Sequence, residues 1–303
     1  MTLTPETRAP EGRERADPYL IQGPALISFS GGRTSGYMLK HILDAHGGTL
    51  PADVHVAFAN TGREMPETLD FVQECSERWG VYIAWLEFDA DAEHRTRIVS
   101  HNSAARDGEP LAAVLGTRKM LANPVMRFCT IDSKIKRLQA YARHILGLSG
   151  WLSVVGLRAD EPQRVEKQLR RHESGKDGKS FGRPVMPLHE AGVTRQQVAA
   201  WWAAQPFDLR LQNVGGKTPL GNCDLCFLKG AGTIMGILRD RPDLAGWWIE
   251  QEKRFASTKR PGDTTYFRKD RPSYAEMLRL SQVQGDLLTL EPEEESLDCA
   301  CTD

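Results

Sequence analysis

One alternation limits the folds open to this chain. Four short apolar runs, at residues 25–30 (ALISFS), 54–59 (VHVAFA), 81–88 (VYIAWLEF) and 151–156 (WLSVVG), are separated by stretches of helical spacing. Those stretches are residues 33–47, 65–80 and 132–147, and the second opens on Pro66 and Glu67, a good first turn for a helix. Apolar runs of this kind read as buried strands. Buried strands alternating with helices predict an α/β fold, a doubly wound, mostly parallel sheet with helices on both faces. Residues 172–183 (HESGKDGKSFGR) read as a mobile loop. After about Gly192 the texture changes to helices with paired tryptophans, Trp201–Trp202 and Trp247–Trp248, which are expected in packing roles.

The 39 Lys and Arg residues nearly balance 40 Asp and Glu, for a net charge of −1. That argues against a protein-wide field for nucleic acid and leaves room for a local basic patch. No run of 18 apolar residues is present, so no membrane span is expected. The first 20 residues are charged and proline-containing, without an apolar core, and read as a disordered tail rather than a signal peptide. A cytoplasmic location follows as an expectation, and thiols stay reduced there. Six cysteines then point to metal or redox chemistry sooner than to disulfides.

The first run ends at Ser30-Gly31-Gly32 and passes into Arg33, Thr34 and Ser35. Glycines allow a tight turn and close approach of backbone N–H groups, the serine and threonine hydroxyls add donors, and a helix N-terminus follows. The turn is either β–α geometry alone or a cradle for phosphate. It is not a Walker loop, which ends in Gly-Lys-Ser/Thr. Asn60-Thr61-Gly62 ends the second run, and ligands of doubly wound sheets bind beyond such strand ends. Arg158 and Arg164 follow the last run, and their planar forks suit phosphate or sulfate. Lys134 and Lys136 would add positive charge. Cys223 and Cys226 form a Cys-x-x-Cys pair, half of a metal or cluster site. Cys75 sits on an amphipathic helix and reads as a buried apolar residue.

The segment SFSGGRTS (28–35) resembles the pyrophosphate loop Ser-Gly-Gly-x-Asp-Ser of the adenine-nucleotide α-hydrolase superfamily. FANTGREMPETLDFV (58–72), FCTIDSKIKRL (128–138) and GLRADEPQR (156–164) resemble, in order, three further motifs of the phosphoadenosine-phosphosulfate (PAPS) reductase family. Thr34 stands where the superfamily loop has Asp, so any metal-holding role of that residue must fall elsewhere. The resemblance implies adenine-nucleotide contacts from Ser28, Ser30, Gly31, Gly32, Arg33, Thr34, Ser35, Asn60, Thr61, Gly62, Lys134 and Gly156. It implies a catalytic role for Arg158 and Arg164.

In the iron–sulfur branch of this family a cysteine at the position of Cys129 and a later Cys-x-x-Cys hold a 4Fe–4S cluster. This makes Cys129, Cys223 and Cys226 the implied ligands, with zinc as the alternative metal. Phe128 precedes Cys129 where cluster-bearing sulfonucleotide reductases carry a second cysteine. The fourth ligand is then Cys299 or Cys301, or an iron is left open. The same two cysteines resemble in placement the C-terminal nucleophile of the reductases, and the segment also reads as a passive acidic tail.

The implied organisation is a tail (1–20), a nucleotide-binding α/β domain (21–192), a helical region with the Cys-x-x-Cys (193–290) and an acidic tail (291–303). Three functions remain open. One is ATP cleavage at the α-phosphate, with magnesium accompanying ATP, for sulfur transfer to an acceptor, as in DNA-phosphorothioation sulfurtransferases. That acceptor would be a nucleic acid or another molecule, with a sulfur-donor or reductant protein as partner. The second is reduction of PAPS or adenosine phosphosulfate to sulfite. The third is a non-catalytic nucleotide-binding module with structural zinc.

Overall fold

The structure is a computed structural model and describes residues 17–175, 182–256 and 266–283. Among these, six strands form one sheet in the order β4-β3-β2-β1-β5-β6. They are β1 (Ala25–Phe29), β2 (Val54–Asn60), β3 (Ile83–Phe88), β4 (Thr96–Val99), β5 (Leu152–Val154) and β6 (Arg183–Val185). All neighbours are parallel except β3 and β4. The expected α/β class is what the chain adopts. β1, β2 and β3 are buried almost throughout, because helices cover both faces.

The expected strand at 81–88 begins two residues late. The helix before it, Pro66–Trp79, ends at Gly80 in the left-handed conformation (φ 61°), and the Val81 N–H closes back on the Ser76 carbonyl. Two strands were not foreseen. β4 is a four-residue antiparallel edge, and β6 takes Arg183 out of the expected loop into a ladder beside β5. Pro184, which cannot donate to a ladder, sits in this edge strand. Helix Pro162–Glu173 covers the first residues of the same loop.

The order of strands reverses at β1: the chain winds outward through β2 and β3 on one side and through β5 and β6 on the other. The crevice beyond the β1 and β5 carboxyl ends is therefore the switch point where doubly wound sheets bind ligands. Helix Arg33–Ala45 leaves β1 there. Helix Arg195–Ala203 packs on it so closely that a Cβ on Gly36 would stand 2.6 Å from the Trp202 ring. The Trp202 indole N–H donates to the Arg33 carbonyl (2.7 Å) and the side chain is fully buried.

A second apolar core gathers the later helices, Ala231–Asp240, Ala245–Ala256 and Tyr274–Val283, with the residues around the Cys-x-x-Cys. Trp248 and Tyr274 stack within it at 5.1 Å. Glu252 ties this unit together, accepting from the Tyr274 N–H (3.0 Å) and the Phe267 N–H (3.3 Å). Burial pushes its carboxyl up to about 7, against an ordinary value of 4.5. A carboxyl raised on folding binds its proton more tightly in the folded state. Its stabilising contribution is complete below about pH 4.5 and is lost as pH rises through about 7. Glu252→Gln should therefore flatten the fall in Tm between pH 5 and 8. An unaltered slope in the variant would show that another group sets it.

Candidate functional site

The glycine turn sits at the switch point. Gly31 has φ +80°, and a Cβ there would stand 2.7 Å from Thr68 Cγ2, so only glycine fits. Gly32 is the N-cap of helix Arg33–Ala45, which leaves the first-turn amides without helical acceptors and pointed at the mouth of the turn. Ser30 Oγ donates to Ser35 Oγ (3.0 Å), which donates to the Gly32 carbonyl (2.9 Å). Ser28, two residues back on the same face of β1, is half-buried.

From β5 the chain brings in Arg158, which is 5% exposed. Its Nη1 donates to Thr34 Oγ1 (2.8 Å), so an arginine from one side of the switch point grips the turn on the other. Asp160 and Glu161 aim it, with Nε on Asp160 (3.0 Å) and Nη2 at 3.4 Å from Glu161. Burial raises the Asp160 carboxyl, but the charge and hydrogen bond of Arg158 outweigh it and hold the group below its usual range. Arg164 pairs with Glu161 as well. Gly156 lies against Thr34 and Met38, with room for a Cβ at 3.7 Å.

The side chains of two of the expected nucleotide ligands are engaged within the protein. Arg33 turns its guanidinium inward onto Asp208 (2.7 Å) and the carbonyls of Leu209 and Leu211. It clamps the segment after helix Arg195–Ala203, and its place in the turn is felt through its backbone. Asn60 is fully buried. Its amide donates to Glu87 (2.7 Å) and the Ala105 carbonyl (2.9 Å), and its oxygen accepts the Gly62 N–H (3.0 Å).

The three expected metal ligands share one pocket lining. Cys129, Cys223 and Cys226 line one pocket, with Thr61, Lys134 and the apolar side chains of Leu111, Phe227 and Trp248 among its walls. Among the described residues no three His, Cys, Asp or Glu side chains are gathered tightly enough to hold a single metal ion. Cys129 opens a helix that runs through Phe128–Thr130, Ile131–Ile135, Lys136–Ala140 and Tyr141–Ile145 with two π-wound stretches, a winding frequent at functional sites. Lys229 holds the Cys-x-x-Cys loop by donating to the carbonyls of Gly221, Cys223 and Asp224 at 2.7–3.0 Å. Lys134, expected at the nucleotide, lies in this cavity, 3.2 Å from Glu64 Oε1. Cys75 is fully buried, and burial pushes its thiol up, as befits an inert core residue. Cys299 and Cys301 lie outside the described residues.

Segment 61–68 links the two places, and sequence reasoning missed most of its roles. Thr61 Oγ1 is 3.4 Å from Cys223 Sγ and donates to Glu64 Oε2 (2.7 Å), which also accepts the Thr61 N–H (2.9 Å). Glu64 forms an antiparallel bridge with Cys223, and Arg63 pairs with the buried Asp224 inside the Cys-x-x-Cys. Thr68, at the other end of the segment, packs on Gly31. The sequence signal for Glu64 was its place between Thr61-Gly62 and Pro66-Glu67-Thr68, where a carboxylate beside a strand end invites a role.

The phosphoadenosine phosphosulfate reductase domain matches residues 24–206, about three-fifths of the chain. The chain belongs to the phosphoadenosine phosphosulfate reductase family. The match takes in β1 to β6, the glycine turn, Cys129 and Arg158, and stops short of Cys223. The chain is 28% identical over 230 residues to an uncharacterised nin region protein, ORF290, of Escherichia phage lambda, covering 72% of this chain and 71% of that one. It also bears a slight likeness (TM-score 0.39, 16% identity) to the U34-tRNA thiolase NcsA of Methanococcus maripaludis, solved with its [4Fe-4S] cluster. That likeness covers 92% of this chain and 76% of the thiolase. No helix among the described residues is long and apolar enough to cross a membrane.

Proposed function

We propose that this family member is an ATP-using sulfurtransferase with a 4Fe–4S site. The observation that carries the reading is segment 61–68, which touches Cys223 at one end and Gly31 at the other. A nucleotide at the glycine turn and a reactive centre among the cysteines would be held by one short piece of chain. The glycine turn and first-turn amides would bind the β- and γ-phosphates that leave as pyrophosphate. Arg158, gripping Thr34, would face the α-phosphate, where negative charge builds as the acceptor oxygen attacks and the α–β bond breaks. The acceptor leaves this step adenylylated. Sulfide-level sulfur from the donor partner, as hydrosulfide, then attacks the adenylylated carbon: the carbon–sulfur bond forms, the carbon–oxygen bond breaks with its electron pair leaving on AMP, and the sulfur proton is lost to solvent.

The cysteine cavity fits the cluster on its donor chemistry. Three cysteines line one largely apolar pocket, and thiolates are the donors that iron–sulfur clusters take. When bound, such a cluster supplies a Lewis-acidic iron for sulfur chemistry. Glu64 and Lys134 would fix the position of Thr61 and place a cation at the cavity wall.

The deciding experiment offers ATP, PAPS and adenosine phosphosulfate separately to anaerobically purified protein. Pyrophosphate release from ATP is the expected result. Sulfite release from either sulfonucleotide would replace this reading with that of a reductase. No turnover of any of the three would leave a binding module.

A further inference from the structure

We propose that a second pocket, walled by Arg95, Arg118, Lys136 and Arg137, is a binding subsite for a phosphate-type oxyanion, separate from the glycine turn. The pocket lies between Phe88 at the end of β3, Arg118 at the end of helix Glu109–Arg118 and the helix that carries Cys129.

Arg137 is its floor and is 4% exposed. Nη1 donates to the His94 carbonyl (3.0 Å) and to Thr96 Oγ1 (2.9 Å), and the guanidinium stacks over the Phe88 ring at 5.2 Å. Its Nε is buried and has no hydrogen-bond partner among the described residues. A buried guanidinium N–H left unpaired is costly, and Arg137 brings that unsatisfied group and its charge to the pocket lining. Burial first, and the neighbouring charge of Arg95 besides, lower Arg137 to about 10, which leaves it cationic at neutral pH.

Charge points the same way. The lining holds four cations and one carboxylate, Asp132, a surplus of three positive charges. Both Asp132 oxygens are occupied, Oδ2 by Arg118 Nε (2.6 Å) and Oδ1 by Lys136 Nζ (2.8 Å). The carboxylate thus braces two of the cations and does not neutralise the other two.

The backbone at the pocket is strained. His94 and Arg95 are consecutive non-glycine residues with φ of 53°, in the left-handed region. The His94 ring stacks on His144 at 3.6 Å, holding the turn against the cysteine-bearing helix. Strain of this kind persists where surrounding contacts enforce it, and it gathers at functional sites. Here it places Arg95, an exposed side chain, on the pocket wall.

The inference uses none of the residues of the function proposed above, and only the ATP control in its test rests on that reading. It is tested on intact protein saturated with ATP, so that the glycine turn is filled. Inorganic phosphate, titrated calorimetrically at low ionic strength, should bind saturably. Arg95→Ala should weaken that binding roughly tenfold, the scale of one charge-assisted contact. Arg95→Lys should restore part of it, and ATP affinity should not change. Arg95 is exposed, so its variants should fold. A single-stranded oligonucleotide that competes with phosphate, and loses that ability in Arg95→Ala, would identify a nucleic-acid backbone as the source of the oxyanion. Phosphate binding without such competition would identify a small anion. The absence of saturable phosphate binding, or equal affinity in wild type and Arg95→Ala, would overturn the proposal.

Discussion

Gly31→Val should nearly abolish nucleotide binding while leaving the sheet assembled. Two costs act at the same atom. The φ of +80° lies where a β-branched side chain is disfavoured by about 1–2 kcal/mol. The added Cβ would also meet Thr68 Cγ2 at 2.7 Å, with Phe58 and Val72 at 3.2 and 3.3 Å behind it. Overpacking of that kind costs about 1–3 kcal/mol. Neither Phe58 nor Val72 can retreat easily, because both belong to the fully buried core. The strain is therefore relieved by moving the turn, which misaligns the amides that would face the phosphates. A loss of roughly a hundredfold in ATP affinity is expected, at 1.4 kcal/mol per tenfold. Ser30→Ala is the milder companion. It removes one hydroxyl and its 3.0 Å bond to Ser35, and should cost roughly tenfold with no change in fold. Isothermal titration with ATP, alongside circular dichroism, reads both. Wild-type affinity in a folded Gly31→Val protein would remove the cradle from the glycine turn.

The sheet was legible because strands covered on both faces write themselves as unbroken apolar runs, and β1, β2 and β3 do so. The edge strands did not announce themselves. β4 has one buried position in four and β6 has none. Such strands exist because a neighbour offers hydrogen bonds, and no local pattern encodes that. The candidate ligands of the site were legible by residue type, through the glycine turn and the Cys-x-x-Cys. Their working partners were not. Nothing local to Arg33 announces Asp208, 175 residues away, as the partner of its guanidinium. Nothing local to Asn60 announces Glu87 from the next strand as the partner of its amide. In the same way Arg63 and Glu64 draw their roles from Asp224 and Cys223, whose approach depends on the second core folding against the first. A one-dimensional reading finds which groups can do chemistry. It cannot tell which of them tertiary contacts have already engaged.

Cys129→Ser and Cys223→Ser should each strip the protein of its iron. The cavity has thiols from two separate parts of the chain, one on the π-wound helix and two on the loop braced by Lys229. Losing Cys129 leaves the cluster bound from the loop only, and losing Cys223 leaves one thiolate from each part, too few to hold it. Serine, whose hydroxyl is scarcely ionised at neutral pH, is a poor replacement for a thiolate. Anaerobically purified wild type should be brown and hold about four irons and four sulfides per chain, and each variant should be colourless and hold almost none. Their unfolding midpoints separate loss of cluster from loss of fold, because the ring contacts of Trp248, Phe267 and Tyr274 inside the second core remain in both variants. Deleting residues 297–303 tests the fourth ligand in the same assay. If Cys299 or Cys301 closes the cluster, iron content falls in the truncated protein. If iron stays while sulfur transfer stops, the tail acts on substrate instead. If both persist, three thiolates suffice and one iron is free for sulfur. Wild-type protein that is colourless and carries stoichiometric zinc would refute the cluster, and with it the sulfurtransferase mechanism built on this cavity.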